Sequence, residues 1–376
     1  MTAMRSKTIL ITGGAGFVGS HLADGLLQAG HSVRVLDNLT PQVHGRKLPT
    51  YLSPEVEFVY GDVRDRAAVQ QAIEGVDAIY HFAATVGVGQ SMYEIQRYMD
   101  VNTMGTAQLL QVLLDTKQPV QKLIVASSMS IYGEGSYTCA QCGPVAPPIR
   151  GNAQLRAGVW DPKCAVCAGP LTPRPTAEDK PSEVTSVYAL SKRDQEELCL
   201  TYGRVYDLPV VALRFFNIYG TRQALSNPYT GVAAIFASRL LNNQAPLVFE
   251  DGEQQRDFVN IHDIVRANML ALEHDEANGH VINIGSGQPI SISRVAELLS
   301  TSLGKNLPRQ LTGRYRSGDI RHCYADLTKA RKLLGYEPRV THEQGFAELV
   351  DWLRAQQAED KAEAMLEELN TYGLSA

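Results

Sequence analysis

"TILITGGAGFVGSHLADGLLQAG" (Thr8–Gly30) sets a short β-branched apolar run directly before a glycine loop, and the loop directly before a helical pattern. Gly13, Gly16 and Gly19 give the spacing G-x-x-G-x-x-G. Glycine lets the backbone turn sharply and approach a pyrophosphate, while the helix N-terminus supplies free N–H donors and a partial positive charge. A glycine motif alone is weak evidence. Here it sits between a strand and a helix, and the next strand-like run, "SVRVLD", ends in Asp37. A carboxylate at that place accepts hydrogen bonds from ribose hydroxyls and repels a 2′-phosphate, so the expected cofactor is NAD rather than NADP. Arg34, three residues earlier, is expected to point to solvent. "GDVRD" puts Asp62 after the third run, where it can meet the adenine amino group.

Working outward, the runs "TILIT", "SVRVLD", "VEFVYGD", "AIYHFAA", "KLIVASS", "PVVALRFF" and "HVINIG" alternate with helical patterns. That alternation predicts an α/β fold, a Rossmann-type doubly wound parallel sheet with strands apolar on both faces. The expected division is a dinucleotide-binding domain over 1–217, with the last sheet strand near 280–285. A smaller α+β substrate domain follows over 218–355, then a C-terminal helix over 356–376. On that terminal helix Ala362, Met365, Leu366 and Leu369 fall on one stripe. One stretch, 137–175, has prolines, glycines and four cysteines but no helical or strand period, too long for a simple loop in a compact domain. Something other than an apolar core is expected to order it.

Composition bounds the function class. At 44% hydrophobic and 20% charged residues, with a formal net charge of -5, the chain has the balance of a soluble globular protein. Its Lys and Arg residues form no basic stripe, which argues against a nucleic-acid partner. The N-terminal apolar run is too short for a signal peptide, and no window can span a bilayer. A cytoplasmic protein without a membrane partner is expected, and there paired cysteines hold metal more often than they form disulfides. Cys199 and Cys323 are expected to be buried thiols.

"SVYALSKRDQEE" places Tyr188 and Lys192 four residues apart on one helix face. Such a pair recurs by chance in a chain of this length, but "IVASSMSIYG" upstream ends a strand with Ser127 and Ser128, at the sheet edge where chemistry occurs. Taken with "HFAA", "VNTMGT", "YALSK", "LRFFNIYG", "RDFVNIHD" and "RYRSGD", in order, these motifs make the chain resemble the extended short-chain dehydrogenase/reductase family, specifically its nucleotide-sugar epimerases and dehydratases. The resemblance implies that Tyr188 exchanges a proton with a sugar hydroxyl, that Ser128 holds the same oxygen, and that Ser127 is structural. Lys192 would favour the phenolate and hold the nicotinamide ribose. It further implies cofactor contacts at Gly13, Gly16, Phe17, Val18, Gly19, Asp37, Asn38, Asp62, Val63, Ala83, Ala84, Asn102 and Phe215, besides Tyr188 and Lys192. Substrate contacts are implied at Ser130, Asn217, Arg256, Arg316 and Asp319, the arginines because their planar forks suit a diphosphate. A homodimer through helices near Thr106–Leu114 and Val187–Tyr202 is implied too.

Family relatives that eliminate water carry an Asp-Glu pair just after the catalytic hydroxyl residue, where this chain has Met129 and Ser130. Relatives that decarboxylate uronic acids place a glutamate at the position of Ser130. Neither reaction suits these side chains, and what remains is a 4-epimerase acting through a 4-keto sugar. "GVGQSMYEIQRYMDVN" and "ALSNPYTGVAAIFASRLL" resemble the branch that includes dTDP-L-rhamnose 4-epimerases. A UDP-hexose or UDP-glucuronate 4-epimerase is the alternative, then a dehydratase, then a cofactor-sensing regulator or an interaction scaffold. The nucleotide on the sugar would be dTDP or UDP.

The four cysteines, Cys139, Cys142, Cys164 and Cys167, are spaced C-x2-C-x21-C-x2-C, between Ser128 and Tyr188. Four thiolates in two close pairs suit a tetrahedral structural zinc with no open position. Free or redox-active thiols and a nucleic-acid-binding ribbon are the other readings. The absence of a basic cluster in the stretch weighs against the ribbon. The insert is expected to emerge beside the sugar pocket or its rim.

Overall fold

The computed structural model describes residues 6–316 and 318–375. All seven apolar runs become strands of one sheet: β1 (Thr8–Thr12), β2 (Ser32–Asp37), β3 (Glu57–Tyr60), β4 (Ala78–His81), β5 (Lys122–Ser128), then Val210–Phe215 and Val281–Ile284. Across the sheet the order is Val281–Ile284, Val210–Phe215, β5, β4, β1, β2, β3, and every neighbouring pair is parallel. Chain order reverses at β1, which lies between β2 and β4. In doubly wound sheets that reversal opens a crevice at the carboxyl ends of the strands.

Alternation along each strand divides the core between the two faces. Ile9 and Ile11 pack with Val33, Val35 and Tyr80 on one side, and Leu10 packs with Leu36, Ile79 and Leu123 on the other. Each aliphatic side chain so buried contributes about 1.5–3 kcal/mol relative to exposure, which is why these strands read as unbroken apolar runs. Helix Ile261–Glu273 packs on helix Phe17–Gln28, so the chain returns to the sheet before Val281–Ile284 completes it. Residues after Phe215 otherwise build a second core around Phe236, Leu240, Phe258 and Leu349, in which the rings of Tyr219 and Phe346 stack at 4.4 Å. No helix among the described residues is long and apolar enough to cross a membrane.

The terminal stripe forms helix Ala362–Thr371, and Ala362, Met365, Leu366 and Leu369 are all buried. They cover Tyr93 and Tyr229 together with Leu247 and Phe249.

The cysteine-bearing stretch departs from the aperiodic loop expected of it. It holds a three-stranded antiparallel sheet in which Ser136–Cys139 lies between Gly143–Val145 and Leu171–Arg174, and a short helix, Asn152–Arg156. Strands of three or four residues carrying Pro144 and Pro173 are too short to write an alternating pattern. Arg34 also departs from expectation. Its side chain is only 15% exposed, pairs with Glu57 at 2.9 Å and donates to the carbonyl of Ala72 at 3.0 Å, because carbonyls at the end of the neighbouring helix leave acceptors that its long stem can reach.

Close approach at the glycine loop yields a test. A Cβ built on Gly19 falls 2.5 Å from Gly14 Cα and 2.7 Å from Gly13 O, both backbone atoms that cannot swing aside. Gly19→Ala is expected to lower stability by about 1–3 kcal/mol, read by denaturant unfolding; an unchanged midpoint would contradict this packing.

Candidate active site

At the reversal point β1 delivers the glycine loop and β4 delivers Phe82–Ala84. Gly13 adopts φ +71°, and a Cβ there would lie 2.9 Å from the backbone of Ala83, so loop and strand end are packed without room for a side chain. Helix Phe17–Gln28 begins at Gly16 with no side-chain cap and no acidic residue in its first turn. Its first amides, including those of Phe17 and Val18, therefore suit an anion such as a pyrophosphate. Asp37 Oδ2 accepts from the amide of Ala15 at 3.1 Å, and Asp37 Oδ1 from that of Leu39 at 2.9 Å. Burial pushes the Asp37 carboxyl up, and those two amides pull it back. Beside it Asn38 donates to Asp62 Oδ2 at 2.8 Å, while Arg64 clasps both Asp62 oxygens. That clasp holds the Asp62 carboxyl down at about 2. Asp62 is thus engaged by two neighbours, a partnership its sequence context did not announce.

Asn102 lies farther back. Its side chain bonds the backbone of Thr85 on both sides, at 2.7 and 3.0 Å, and donates to Ser191 Oγ at 2.9 Å. It ties the Ala83–Thr85 strand end to the helix Val187–Tyr206. Val63 is buried and Gly105 fits beside it without a side chain. Phe215 stands in register with Ser128 on the neighbouring strand, its ring edge-on to Phe82 at 6.2 Å.

Ser128 ends β5 and caps the short 3-10 turn Met129–Tyr132, accepting from the amide of Ser130 at 3.2 Å. The Ser130 hydroxyl lies 2.9 Å away from it. Across from it, Ser186 caps helix Val187–Tyr206 by accepting from Ala189 N. That start places Tyr188 and Lys192 one turn apart. Burial pushes the Tyr188 phenol up, and a hydrogen bond with Ser128 pulls it down. Lys192 Nζ instead donates to Gln195 Oε1 at 2.6 Å, and burial lowers its ammonium to about 8. Gln195 in turn donates to Thr106 Oγ1 at 2.9 Å, and Thr106 and Thr12 flank the ring of His81 at 2.8 Å each. Burial keeps His81 neutral, with a pKa of about 3. This polar thread behind Lys192 was invisible in the sequence because its members come from two strands and two helices with no shared pattern.

Toward the second core, Asn217 Oδ1 is buried and finds no partner among the described residues. A buried acceptor of this kind costs about 1–3 kcal/mol unless something donates to it. Among the described residues Arg256 bonds only backbone carbonyls, of Gln255, Ile320 and Arg321, at 2.9, 2.6 and 3.0 Å. Arg316 donates to Asp319 Oδ2 at 2.9 Å and stacks over the Phe249 ring at 4.8 Å. Asn217 and Arg256 belong to neighbouring parallel strands, Asn217–Tyr219 and Gln255–Asn260, and Arg256 reaches the residue just after Asp319.

The four cysteines converge. Their sulfurs all lie within 4.8 Å of one another, Cys139 and Cys164 buried and Cys142 and Cys167 exposed. The amides of Gln141 and Cys142 point at Cys139 Sγ, and those of Val166 and Cys167 at Cys164 Sγ. Each turn so lowers its first thiol, Cys139 or Cys164, while hydrogen bonding among the sulfurs raises its second, Cys142 or Cys167. Cys199 and Cys323 are buried elsewhere, as expected.

Comparison with known proteins agrees with this geometry. The model of the NAD dependent epimerase/dehydratase family matches residues 9–150 and 164–285, and the interval it skips lies between the two cysteine pairs. A dTDP-L-rhamnose 4-epimerase of Burkholderia thailandensis is 34% identical over 92% of this chain and 95% of its own length. The structure of a UDP-glucose 4-epimerase from Thermotoga maritima with UDP-glucose is 30% identical, covers 92% of this chain and 98% of that one, and superposes with a TM-score of 0.76. That of a UDP-glucuronic acid 4-epimerase from Bacillus cereus, with UDP-glucuronic acid and NAD, is 27% identical over 92% and 99% with a TM-score of 0.75. With its glycine loop, its Ser128–Tyr188 pair and this breadth of match, the chain belongs to the NAD-dependent epimerase/dehydratase family.

Proposed function

We propose that the protein is a nucleotide-sugar 4-epimerase working through a transient 4-keto sugar, with a dTDP-6-deoxyhexose such as dTDP-L-rhamnose as its preferred substrate. The observation that carries the reading is the meeting of Ser128 and Tyr188 at the carboxyl end of β5, followed by Met129 and Ser130, which bring no carboxyl group. A tyrosine and a serine suffice to move one proton on and off a hydroxyl; elimination or decarboxylation asks for more.

Tyr188 takes the C4 hydroxyl proton and later returns it, and Ser128 holds the same oxygen throughout. NAD, held by the residues named below, would supply the hydride acceptor at C4 and, once the 4-keto sugar has turned over, the hydride donor to its other face. Lys192 favours the Tyr188 phenolate and holds the nicotinamide ribose, with Phe215 and Asn102 behind them. Gly13, Gly16, Phe17, Val18 and Gly19 receive the pyrophosphate, Asp37 and Asn38 the adenosine ribose, and Asp62, Val63, Ala83 and Ala84 the adenine side. Ser130, Asn217 and Arg256 hold the sugar and diphosphate, Arg316 and Asp319 the nucleotide. The orphaned Asn217 oxygen and the Arg256 guanidinium, which has no carboxylate bonded to it among the described residues, support this assignment. On this reading residues 1–217 with the last strand form the cofactor domain and 218–355 the substrate domain, and the enzyme is a homodimer. Exposed Met104, Leu114 and Leu190 along the two implied helices support the dimer. Cys139, Cys142, Cys164 and Cys167 would hold a structural zinc; the all-thiolate donor set and the convergent sulfurs support it.

Three measurements test this. NMR of the C4 configuration, after incubation without added cofactor with dTDP-L-rhamnose, UDP-hexoses and UDP-glucuronate, should show interconversion of one of them without net NADH. Tyr188→Phe should keep bound NAD and lose roughly 10²–10⁴-fold in kcat; near-normal turnover would remove Tyr188 from its role. Elemental analysis of the purified chain should find one zinc per protomer, and a metal-free, fully folded insert would refute that site.

Lys192 adds a pH test. Its folded pKa, about 8, lies below its usual 10.5. Below pH 8 the unfolded and folded lysines are both charged, and burial costs its full amount, on the order of 3 kcal/mol by linkage. Between pH 8 and 10.5 the unfolded chain binds more protons, so that cost is progressively relieved. Lys192→Met should therefore melt higher than wild type at pH 7, with the gap closing toward pH 10.5, while turnover is lost.

A further inference from the structure

Residues 319–322 are held almost wholly by side chains and by one strand end. The carbonyl of Asp319 accepts from Arg150 Nη2 at 2.9 Å. Glu134 accepts from the amides of Arg321 and His322 at 2.6 and 3.3 Å, and Gly135 N donates to the carbonyl of His322 at 2.8 Å. Arg256 takes the two carbonyls between. This segment is thus held from two sides, by Gln255 and Arg256 of the neighbouring strand and by Glu134, Gly135 and Arg150 of the cysteine insert and its stem.

Arg150 is the centre of that hold. Its side chain is 1% exposed, lies 3.2 Å from Glu134 Oε1 and 2.9 Å from Glu250 Oε1, and donates to the carbonyl of Trp160 at 3.0 Å. Buried charges keep such positions only with their partners in place, because removing one strands the others. Both Arg150 and Trp160 lie in the loop that Cys142 and Cys164 close. Asp161, next along, reaches Arg321 Nε at 2.8 Å and is 71% exposed. Closing the loop at the sulfurs therefore presents one guanidinium and one carboxylate to the segment that carries Asp319.

We propose that Arg150 is a positioning residue through which the cysteine-closed insert sets affinity for the nucleoside diphosphate half of the substrate. Too buried to touch the nucleotide, it acts through the backbone of Asp319. The inference rests on the nucleotide-sugar reading above, with Asp319 and Arg316 at the nucleotide. It makes the insert part of nucleotide recognition rather than a separate module. Arginine is required because one planar group serves two carboxylates and two carbonyls at once, which a lysine ammonium cannot.

Calorimetric titration of dTDP and UDP into the NAD-loaded enzyme, with KM and kcat for the turned-over sugar, tests it. Arg150→Lys should weaken nucleotide binding and raise KM about 10- to 100-fold, with bound NAD unchanged and kcat within about threefold of wild type. Asp161→Asn, at an exposed carboxylate, should shift the same quantities in the same direction by a smaller factor, and it decides the matter if Arg150→Lys does not fold. A merely structural Arg150 would lower the melting temperature and leave the dissociation constant of the folded enzyme alone; that result, or wild-type binding in Asp161→Asn where Arg150→Lys does not fold, overturns the proposal. Failure of wild type to bind either nucleotide overturns the underlying reading and this inference with it, whereas tight wild-type binding matched by both variants overturns this inference alone.

Discussion

The Glu196 carboxylate fixes where the helix that carries Tyr188 and Lys192 meets the sheet. It is almost wholly buried and lies one turn beyond Lys192 on the helix Val187–Tyr206. Ser127 donates to it at 2.6 Å, and Arg214, from the neighbouring strand, grips both of its oxygens at 2.9 and 2.6 Å. Arg214 also bonds the Tyr132 hydroxyl, which donates onward to Asn283 in the last strand. A buried ion pair in which both carboxylate oxygens accept hydrogen bonds holds geometry well, and removing one partner typically costs about 3–5 kcal/mol. Ser127 anchors the helix at Glu196, two turns beyond Tyr188, and Ser128, the next residue and the last of its strand, meets Tyr188 in the helix's first turn. Proton transfer between a serine-held oxygen and a tyrosine needs that spacing held to a fraction of an ångström.

Seven strands and the glycine loop were legible in the sequence for one reason. A parallel strand buried on both faces has to be apolar throughout, and a backbone that must touch a phosphate has to be glycine. Ser128, Tyr188 and Lys192 were legible because they lie on short motifs. The ties that hold them were not. Glu196 and Arg214 are eighteen positions apart, with another strand's Ser127 bonded to the same carboxylate, and Arg150 reaches across 169 positions to Asp319. Nothing periodic marks such pairs, since each is defined only after the sheet has formed. Arg34 went astray for the same reason: its acceptors are carbonyls of a helix end, which have no signature in residue type.

The last helix shows how a terminal stripe gains meaning only in place. Its apolar face lies over Tyr93, from the segment after β4, and over Tyr229, from the segment after the sixth strand. The Glu368 carboxylate accepts from both phenols, Leu369 fills the space above Gly89, and Tyr372 stacks on Tyr93 at 4.6 Å. Apolar spacing announced the helix. It did not announce that the helix bridges segments from the two halves of the chain.

The insert illustrates the opposite logic, in which a long excursion leaves the chemistry undisturbed. Its neck is closed close to the sheet: the amide of Glu183 and the hydroxyl of Ser182 bond the carbonyl of Ile131, and Lys180 bonds that of Tyr132. Gly133 adopts φ +65° there, with the Glu183 carbonyl so near that a Cβ would fall 2.4 Å from it. With the chain pinched at that point, whatever happens between 137 and 175 reaches Ser128 and Tyr188 only through a stiff stem. The arms of the insert meet Glu250 and residues 319–322 instead. A segment that sits in sequence between the serine and the tyrosine therefore bears in space on the backbone of Asp319 and the side chain of Arg321, so its place in the chain is a poor guide to what it touches.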